Sequence, residues 1–176
     1  KLMDHSGTLT TFTPSSGEQF SSPKISPNKS KIAYLRSHST ETVGKFYLYV
    51  MNIDGTNKQL IYNGGSFSVE NNFSWSPQSN YIAFSTTNST GGHNEVFRIS
   101  STGGGLSRLT SQYGFDGNPT WSPSGDKIFY SGEGSLCGPC LMTQSGTNVQ
   151  AFPSDSSFPV WLSANQNYSW SAAFAI

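Results

Sequence analysis

The segment Asn118-Pro-Thr-Trp-Ser-Pro-Ser-Gly-Asp-Lys-Ile-Phe-Tyr130 decides the fold, because three related segments recur along the chain. They are Ser22-Pro-Lys-Ile-Ser-Pro-Asn-Lys-Ser-Lys-Ile-Ala-Tyr34, Asn72-Phe-Ser-Trp-Ser-Pro-Gln-Ser-Asn-Tyr-Ile-Ala-Phe84 and a weaker Phe158-Pro-Val-Trp-Leu-Ser-Ala-Asn-Gln-Asn-Tyr-Ser-Trp170. In each segment a short strand meets a turn rich in small polar residues, and a second strand follows. The repeat therefore predicts a β-hairpin at each of these places.

A second hairpin, with glycine in its turn, follows each of the first three segments. These hairpins run from Phe46 to Tyr62, from Glu95 to Thr110 and from Cys140 to Phe152. Glycine supplies the positive φ that tight turns require. The repeating unit is therefore four antiparallel strands, here called A to D, in about 45 residues, which is the size of a propeller blade. The predicted blades cover 22–62, 72–110 and 118–152.

The fourth unit, 158–176, contains strands A and B only, and a matching C–D hairpin lies at the opposite end of the chain. Lys1 to Phe12 matches Cys140 to Phe152 almost position for position. Successive turns lie 50, 46 and 41 residues apart, and 39 residues remain around the two ends. We therefore expect one all-β domain, 1–176. It is a four-bladed β-propeller of four-stranded antiparallel blades, with the last blade built from 158–176 and 1–13.

The repeated pattern resembles the TolB-type beta-propeller repeat, also called the WD40-like or PD40 repeat. The resemblance rests on Pro-x-Trp-Ser-Pro-x-Gly-x-x-Ile, an apolar strand, Asp/Ser-Gly-Thr and Leu-Thr, and it covers nearly the whole chain. Ile25 replaces the expected Trp, and Leu162-Ser163-Ala164 departs from Trp-Ser-Pro. The resemblance implies blades around a channel with binding at one face, and it implies no single chemistry. We expect the four Trp residues to pack between blades.

A blade divided between the two chain ends leaves sheet edges that can accept further strands. The halves at Phe158 to Ile176 and Lys1 to Phe12 complement each other. Joined within one chain they close a ring, and joined between chains they build a larger ring or a filament by strand donation. We therefore predict a structural or adhesive protein, with self-assembly as one version of that function. The residues expected at this contact are Leu2, Leu9, Phe12, Trp161, Trp170, Phe174 and Ile176.

The charge and composition of the chain exclude nucleic acid as a partner and insertion into a membrane. The chain has 10 Lys+Arg and 10 Asp+Glu in 176 residues, with a formal net charge of 0. So few cations cannot follow a nucleic-acid backbone, and no apolar run is long enough for membrane insertion. The 12 Phe, 8 Tyr and 4 Trp indicate a folded core. Low charge and abundant Ser, Thr and Asn favour an extracellular or periplasmic protein.

Motifs for catalysis are scarce in this sequence. A Gly-x-Ser-x-Gly nucleophile motif does not occur, and the Gly103-Gly104-Gly105 run lies in a hairpin turn rather than before a helix. The carboxylates are too scattered to indicate an acid/base pair. We therefore expect a non-enzymatic protein without a cofactor or metal, and a propeller-type hydrolase or lyase is the less favoured alternative.

The two cysteines form the motif Cys137-Gly-Pro-Cys140. A reactive thiol needs a feature such as a helix N-terminus to lower its pKa, and zinc needs two more ligands than the motif supplies. The expected role is a local disulfide that closes the B–C loop of the third blade. A free thiol pair and a metal or redox role remain open.

A recognition or scaffold domain is the competing function class. Loops from D to A and from B to C share one face of a propeller, and exposed loops carry binding residues more often than strands do. This face would bind a peptide, a protein or a glycan. Its candidate residues, all expected in loops, are Phe67, Glu70, Tyr113, Phe115, Asp116 and Glu133.

Overall fold

The structure, a computed structural model, describes residues 2–3, 9–41, 45–64, 68–87, 92–111, 114–133 and 138–151. All fourteen elements of this part of the chain are β-strands, which confirms the all-β prediction there. None of the residues described forms a helix with the length and apolar character needed to cross a membrane. Residues 158–176, predicted to supply strands A and B of a fourth blade, lie outside the described residues.

The strands form one short hairpin and three four-stranded antiparallel sheets. The hairpin joins β1 (Leu2–Met3) to β2 (Leu9–Thr10). Sheet 1 contains β3 (Glu18–Ile25), β4 (Lys31–His38), β5 (Tyr47–Asn52) and β6 (Gln59–Tyr62). Sheet 2 contains β7 (Val69–Trp75), β8 (Tyr81–Thr87), β9 (Asn94–Ser100) and β10 (Ser107–Arg108). Sheet 3 contains β11 (Phe115–Trp121), β12 (Lys127–Glu133), β13 (Pro139–Thr143) and β14 (Gln150–Ala151). In each sheet the strands take the places A, B, C and D in sequence order.

Each strand A begins three or four residues before its predicted start, at Glu18, Val69 and Phe115. The cause is an irregularity in the middle of the strand, where its pairing with strand B shifts register. Ser22 and Asn118 lie at this irregularity and have φ of 50° and 53°. Such a β-bulge interrupts the alternation of side chains that marks a strand. The sequence pattern therefore indicated only the half of each strand that follows the bulge.

The Ser-Pro turn between strands A and B has the same hydrogen bonds in all three sheets. Ser26, Ser76 and Ser122 are buried, and each hydroxyl accepts a bond from the backbone N–H five residues later, at 3.0, 3.0 and 3.1 Å. The third residue after each serine has a left-handed φ of 59°, 63° or 79°. These left-handed residues are Lys29, Ser79 and Gly125. The repeated turn fixes the register between A and B.

Apolar cores lie between neighbouring sheets. The core between sheets 1 and 2 contains Ala33, Leu35, Leu48, Val50 and Ile61 together with Phe73, Trp75, Ile82, Phe84 and Ile99. The core between sheets 2 and 3 contains Ala83, Val96 and Leu109 together with Trp121, Ile128, Tyr130, Cys140 and Met142. Trp75 and Trp121 therefore pack between sheets, as expected from the sequence, and the Trp75 Nε1 donates a 2.9 Å bond to the Lys24 carbonyl of sheet 1.

Candidate functional site

The N-terminal hairpin pairs its strands as strands C and D are paired in the complete sheets. Leu2 pairs with Thr10 and Met3 with Leu9. In sheet 3 the matching Leu141 pairs with Gln150. Register in a hairpin is set by the turn and by the residues that face the core, and β1 and β2 share the register of this C–D pair.

Phe12 follows this hairpin and lies where a strand D would contact the next sheet. A Cβ built on Gly103, in the C–D turn of sheet 2, would lie 3.8 Å from Ile61 in strand D of sheet 1. The turn of sheet 1 has Gly55 at this position, and a Cβ there would lie 2.6 Å from the Phe12 ring. The Phe12 ring also packs against a cluster of Ile32, Tyr34 and Met51 on the outer side of sheet 1.

Only part of this outer side of sheet 1 is covered. Trp75 and Trp121 are 8% and 5% exposed, whereas Ile25, at the same position of the repeat in sheet 1, is 45% exposed. Phe12 therefore covers the part of the sheet near strands B and C, and among the described residues of strand A the Ile25 end stays exposed. Of the remaining residues predicted for the contact, Trp161, Trp170, Phe174 and Ile176 lie outside the described residues, and only the backbone of Leu2 and Leu9 is described.

The residues predicted for a loop face are placed differently from the expectation. Glu70 lies in β7, whereas Phe115 and Asp116 lie in β11, because strands A are longer than predicted. Phe115 is 40% exposed, but Asp116 is only 2% exposed and is not available for contact with a partner. Glu133 ends β12, where only its backbone is described, and Phe67 and Tyr113 lie outside the described residues.

Asp116 belongs to a buried polar cluster between sheets 2 and 3. Burial raises the pKa of its carboxyl, the interaction with the Thr110 side chain opposes that rise, and the nearby charge of Glu95 adds to it. Glu95 is 1% exposed, and it accepts bonds from Arg108 at 2.5 Å and Thr110 at 2.7 Å. Burial, followed by the charges of Asp116 and Glu95, raises the pKa of Tyr130 to about 12. The bonds of Glu95 come from its own sheet, and the interaction of Thr110 with Asp116 reaches across to sheet 3.

Cys140 is fully buried in β13 and is disulfide-bonded. Cys137 lies outside the described residues, so its pairing with Cys140 stays a prediction. Among the described residues there is no group of three or more His, Cys, Asp or Glu side chains that could hold a metal ion.

A concave cleft of about 550 Å³ lies along the inner strands A of the three sheets. We call it the inner-strand cleft, and its described lining residues are Lys24, Asn72, Phe73, Ser74, Asn118, Pro119, Thr120 and Phe129. Its polar side chains occupy repeated positions: Lys24, Ser74 and Thr120 each stand one residue before the Trp position of their repeat. Asn72 donates a 2.5 Å bond to Asn118 and so links the neighbouring strands.

Lys24 is the cationic residue of this cleft. Its Nζ donates a 2.5 Å bond to the Phe73 carbonyl and lies 5.0 Å from the centre of the Phe73 ring. Burial lowers the pKa of its ammonium group. None of these residues was predicted as a site residue, although a polar residue stands before the Trp position in each of the three repeats.

Comparison with known proteins supports the fold. A family model described as PD40, TolB beta propeller domain, matches residues 1–136. A protein assigned as a TolB from Agrobacterium tumefaciens is 23% identical, with a TM-score of 0.60 over 72% of this chain and 46% of that chain. TolB from Acinetobacter baumannii is 20% identical, with a TM-score of 0.60 over 82% and 35%. Oligogalacturonate lyase from Vibrio parahaemolyticus is 12% identical, with a TM-score of 0.62 over 82% and 43%. The chain therefore spans less than half the length of each of these three proteins.

Proposed function

Because this chain belongs to the TolB beta propeller family, we propose that it is a non-enzymatic propeller that acts by contact, as a structural or adhesive protein. Its location in this proposal is extracellular or periplasmic, which agrees with its low charge and polar composition. In this contact, strands C and D from 1–13 pair with strands A and B from 158–176 and complete a fourth blade.

The position of the N-terminal hairpin is the observation that carries this proposal. Its strands have the pairing of a C–D unit. Phe12 lies against the turn at Gly55 in the same way that Ile61 lies against the turn at Gly103. Ile25 is exposed beside it, at the place that an A–B unit of the same blade would cover. Backbone pairing between the two halves and burial of these apolar side chains would stabilise the completed blade.

The two halves can join in either of two ways. If they join within one chain, the product is a closed four-bladed ring. If they join between chains, each molecule donates one half and accepts another, and the product is a larger ring or a filament. The second way makes self-assembly the function of the divided blade.

Molar mass measured by light scattering across a range of protein concentrations tests this proposal. Joining between chains predicts a mass that rises with concentration, and Phe12→Ser should reduce that mass, whereas Leu106→Ser, which changes a 49% exposed side chain of sheet 2, should not. Joining within one chain predicts a monomer that the Phe12→Ser change destabilises. A monomer whose mass and stability are unchanged by Phe12→Ser, and also by deletion of 1–13, would contradict both versions.

A recognition domain that binds a peptide, protein or glycan through one propeller face is the second candidate. The exposed ring of Phe115 at the start of β11 favours it, because aromatic side chains are enriched at protein contacts. A bound partner should then be lost with Phe115→Ser and retained after deletion of 1–13. Loss on the deletion with retention in Phe115→Ser would favour blade completion instead.

Catalysis is the third class, since a similar fold occurs in a lyase. The buried carboxylates of Glu95 and Asp116 are held by Thr110 and Arg108 and do not line the inner-strand cleft. We propose that they stabilise the interface between sheets 2 and 3. Turnover of an oligogalacturonate that is lost in Glu95→Gln would contradict the non-enzymatic assignment.

A further inference from the structure

The polar side chains of the inner-strand cleft have hydrogen-bonding capacity that contacts within the protein do not use. An ammonium group has three donors, and within the described part of the chain Lys24 uses one of them, to the Phe73 carbonyl. The Ser74 hydroxyl is buried and has no hydrogen-bond partner within the described part of the protein. A polar group in that state costs free energy, which a bond to a ligand would recover once the Ser74 side chain turns towards the cleft.

The charge of the cleft selects the kind of ligand. Of the described residues that line it, Lys24 is the one that carries a charge, so the wall has a single positive site and several neutral polar ones. A single ammonium group matches one carboxylate. The hydroxyls of Ser74 and Thr120 and the amide of Asn72 both donate and accept, which suits ligand hydroxyl groups. Pro119 adds an apolar surface, and the volume of about 550 Å³ lies within the range of small-molecule sites.

We propose that the inner-strand cleft binds a sugar acid, a ligand with one carboxylate and several hydroxyl groups. Lys24 binds the carboxylate, and Ser74, Thr120 and Asn72 bind the hydroxyls. The three strands A supply these groups from three different sheets, so the site forms only when the sheets are packed side by side. This site deepens the recognition candidate and does not depend on completion of the fourth blade.

Titration of the full chain with sodium glucuronate, followed by heteronuclear NMR, tests this proposal. Glucose supplies the ring without a carboxylate, and acetate supplies a carboxylate without the ring. We expect saturable shifts with glucuronate at the cleft residues and at least about tenfold weaker binding of glucose and of acetate, because a hydrogen bond to a charged group contributes more than a neutral one. Higher salt should weaken the binding of glucuronate.

Variants separate the cleft from general charge effects. Lys24→Gln should weaken glucuronate binding at least about tenfold, and Lys127→Gln, which removes a cation from an exposed position of β12, should leave it unchanged. Thr120→Val provides a second test on another strand and should weaken binding several-fold. The proposal is overturned if glucuronate gives no saturable shifts, if the three probes bind equally, or if a folded Lys24→Gln protein binds like the wild type. Failure of this titration would leave the light-scattering result on blade completion unaffected.

Discussion

Replacement of Trp75 by Phe should destabilise the protein more than the same replacement of Trp121. Both side chains are buried, both pack between neighbouring sheets, and both occupy the same position of the repeat. They differ at the indole nitrogen. Trp75 Nε1 donates a 2.9 Å bond to the Lys24 carbonyl, whereas Trp121 Nε1 is buried without a hydrogen-bond partner among the described residues.

The expected difference follows from that contrast. The loss of ring area is the same in both variants, so it cancels when the two are compared. Trp75→Phe also removes a hydrogen bond with a net value of about 1 kcal/mol, and Trp121→Phe removes an unpaired buried donor that costs about 1–3 kcal/mol. Trp75→Phe should therefore lower the free energy of unfolding by at least about 1 kcal/mol more than Trp121→Phe, or the melting temperature by at least about 2 °C more.

Urea unfolding followed by far-UV circular dichroism measures both free energies, since this signal does not depend on tryptophan fluorescence. The m-values must agree with that of the wild type for the comparison to hold. Equal losses in the two variants, or a larger loss in Trp121→Phe, would refute the reasoning from the indole hydrogen bond.

Three further pairs of measurements follow from the packing and electrostatics. Gly146→Ala should cost more stability than Gly104→Ala by thermal unfolding, because both residues have a positive φ but a Cβ at Gly146 would lie 2.6 Å from the Leu109 carbonyl oxygen and one at Gly104 meets nothing within 4 Å. Met142→Ala should lower the unfolding free energy by about 2–5 kcal/mol, whereas Val149→Ala, at a 51% exposed position, should change it by less than about 0.5 kcal/mol. The pKa of Asp116 is raised above 3.8 by burial, so its charged form destabilises the folded state. The wild type should therefore lose stability relative to Asp116→Asn as the pH rises from about 4, and a difference that does not change with pH would contradict this assignment.

The hairpin turns were predictable because their signal is local. The Ser-Pro turns at Ser26, Ser76 and Ser122 form hydrogen bonds across five residues, so a short window of sequence contains every group involved. The beginnings of strands A were not predictable in the same way. At Ser22 and Asn118 the chain takes a left-handed φ within a strand, and neither residue type requires this conformation.

The environment of Asp116 and the inner-strand cleft depend on residues that are distant in the sequence. Asp116 was expected in a loop, because polar residues and glycine surround it, but the nearby Glu95 lies 21 residues earlier, in another sheet. Lys24 lies 49 residues before Phe73, and only the packing of sheet 1 on sheet 2 brings its ammonium group to that carbonyl. Repeat alignment shows which positions are equivalent, whereas tertiary packing decides which of them line one surface.

The Ser-Pro turns lie along one edge of the three sheets, and their hydrogen bonds limit how this edge can change in evolution. The register of each turn depends on the serine hydroxyl, which accepts the backbone bond and itself donates to a side chain of the same turn, Asn28, Asn80 or Asp126. At the position of the left-handed residue the three turns already have a cation, a hydroxyl and a glycine, at Lys29, Ser79 and Gly125. Of these three residues Lys29 is exposed, whereas Ser79 is 8% exposed and its hydroxyl accepts a 3.1 Å bond from the Asn28 backbone N–H of the neighbouring turn. A Cβ on Gly125 would lie 2.6 Å from the Gln78 side chain. Among homologous chains, the tip at Lys29 should therefore diverge faster than the tips at Ser79 and Gly125, which contact the turn of the sheet beside them.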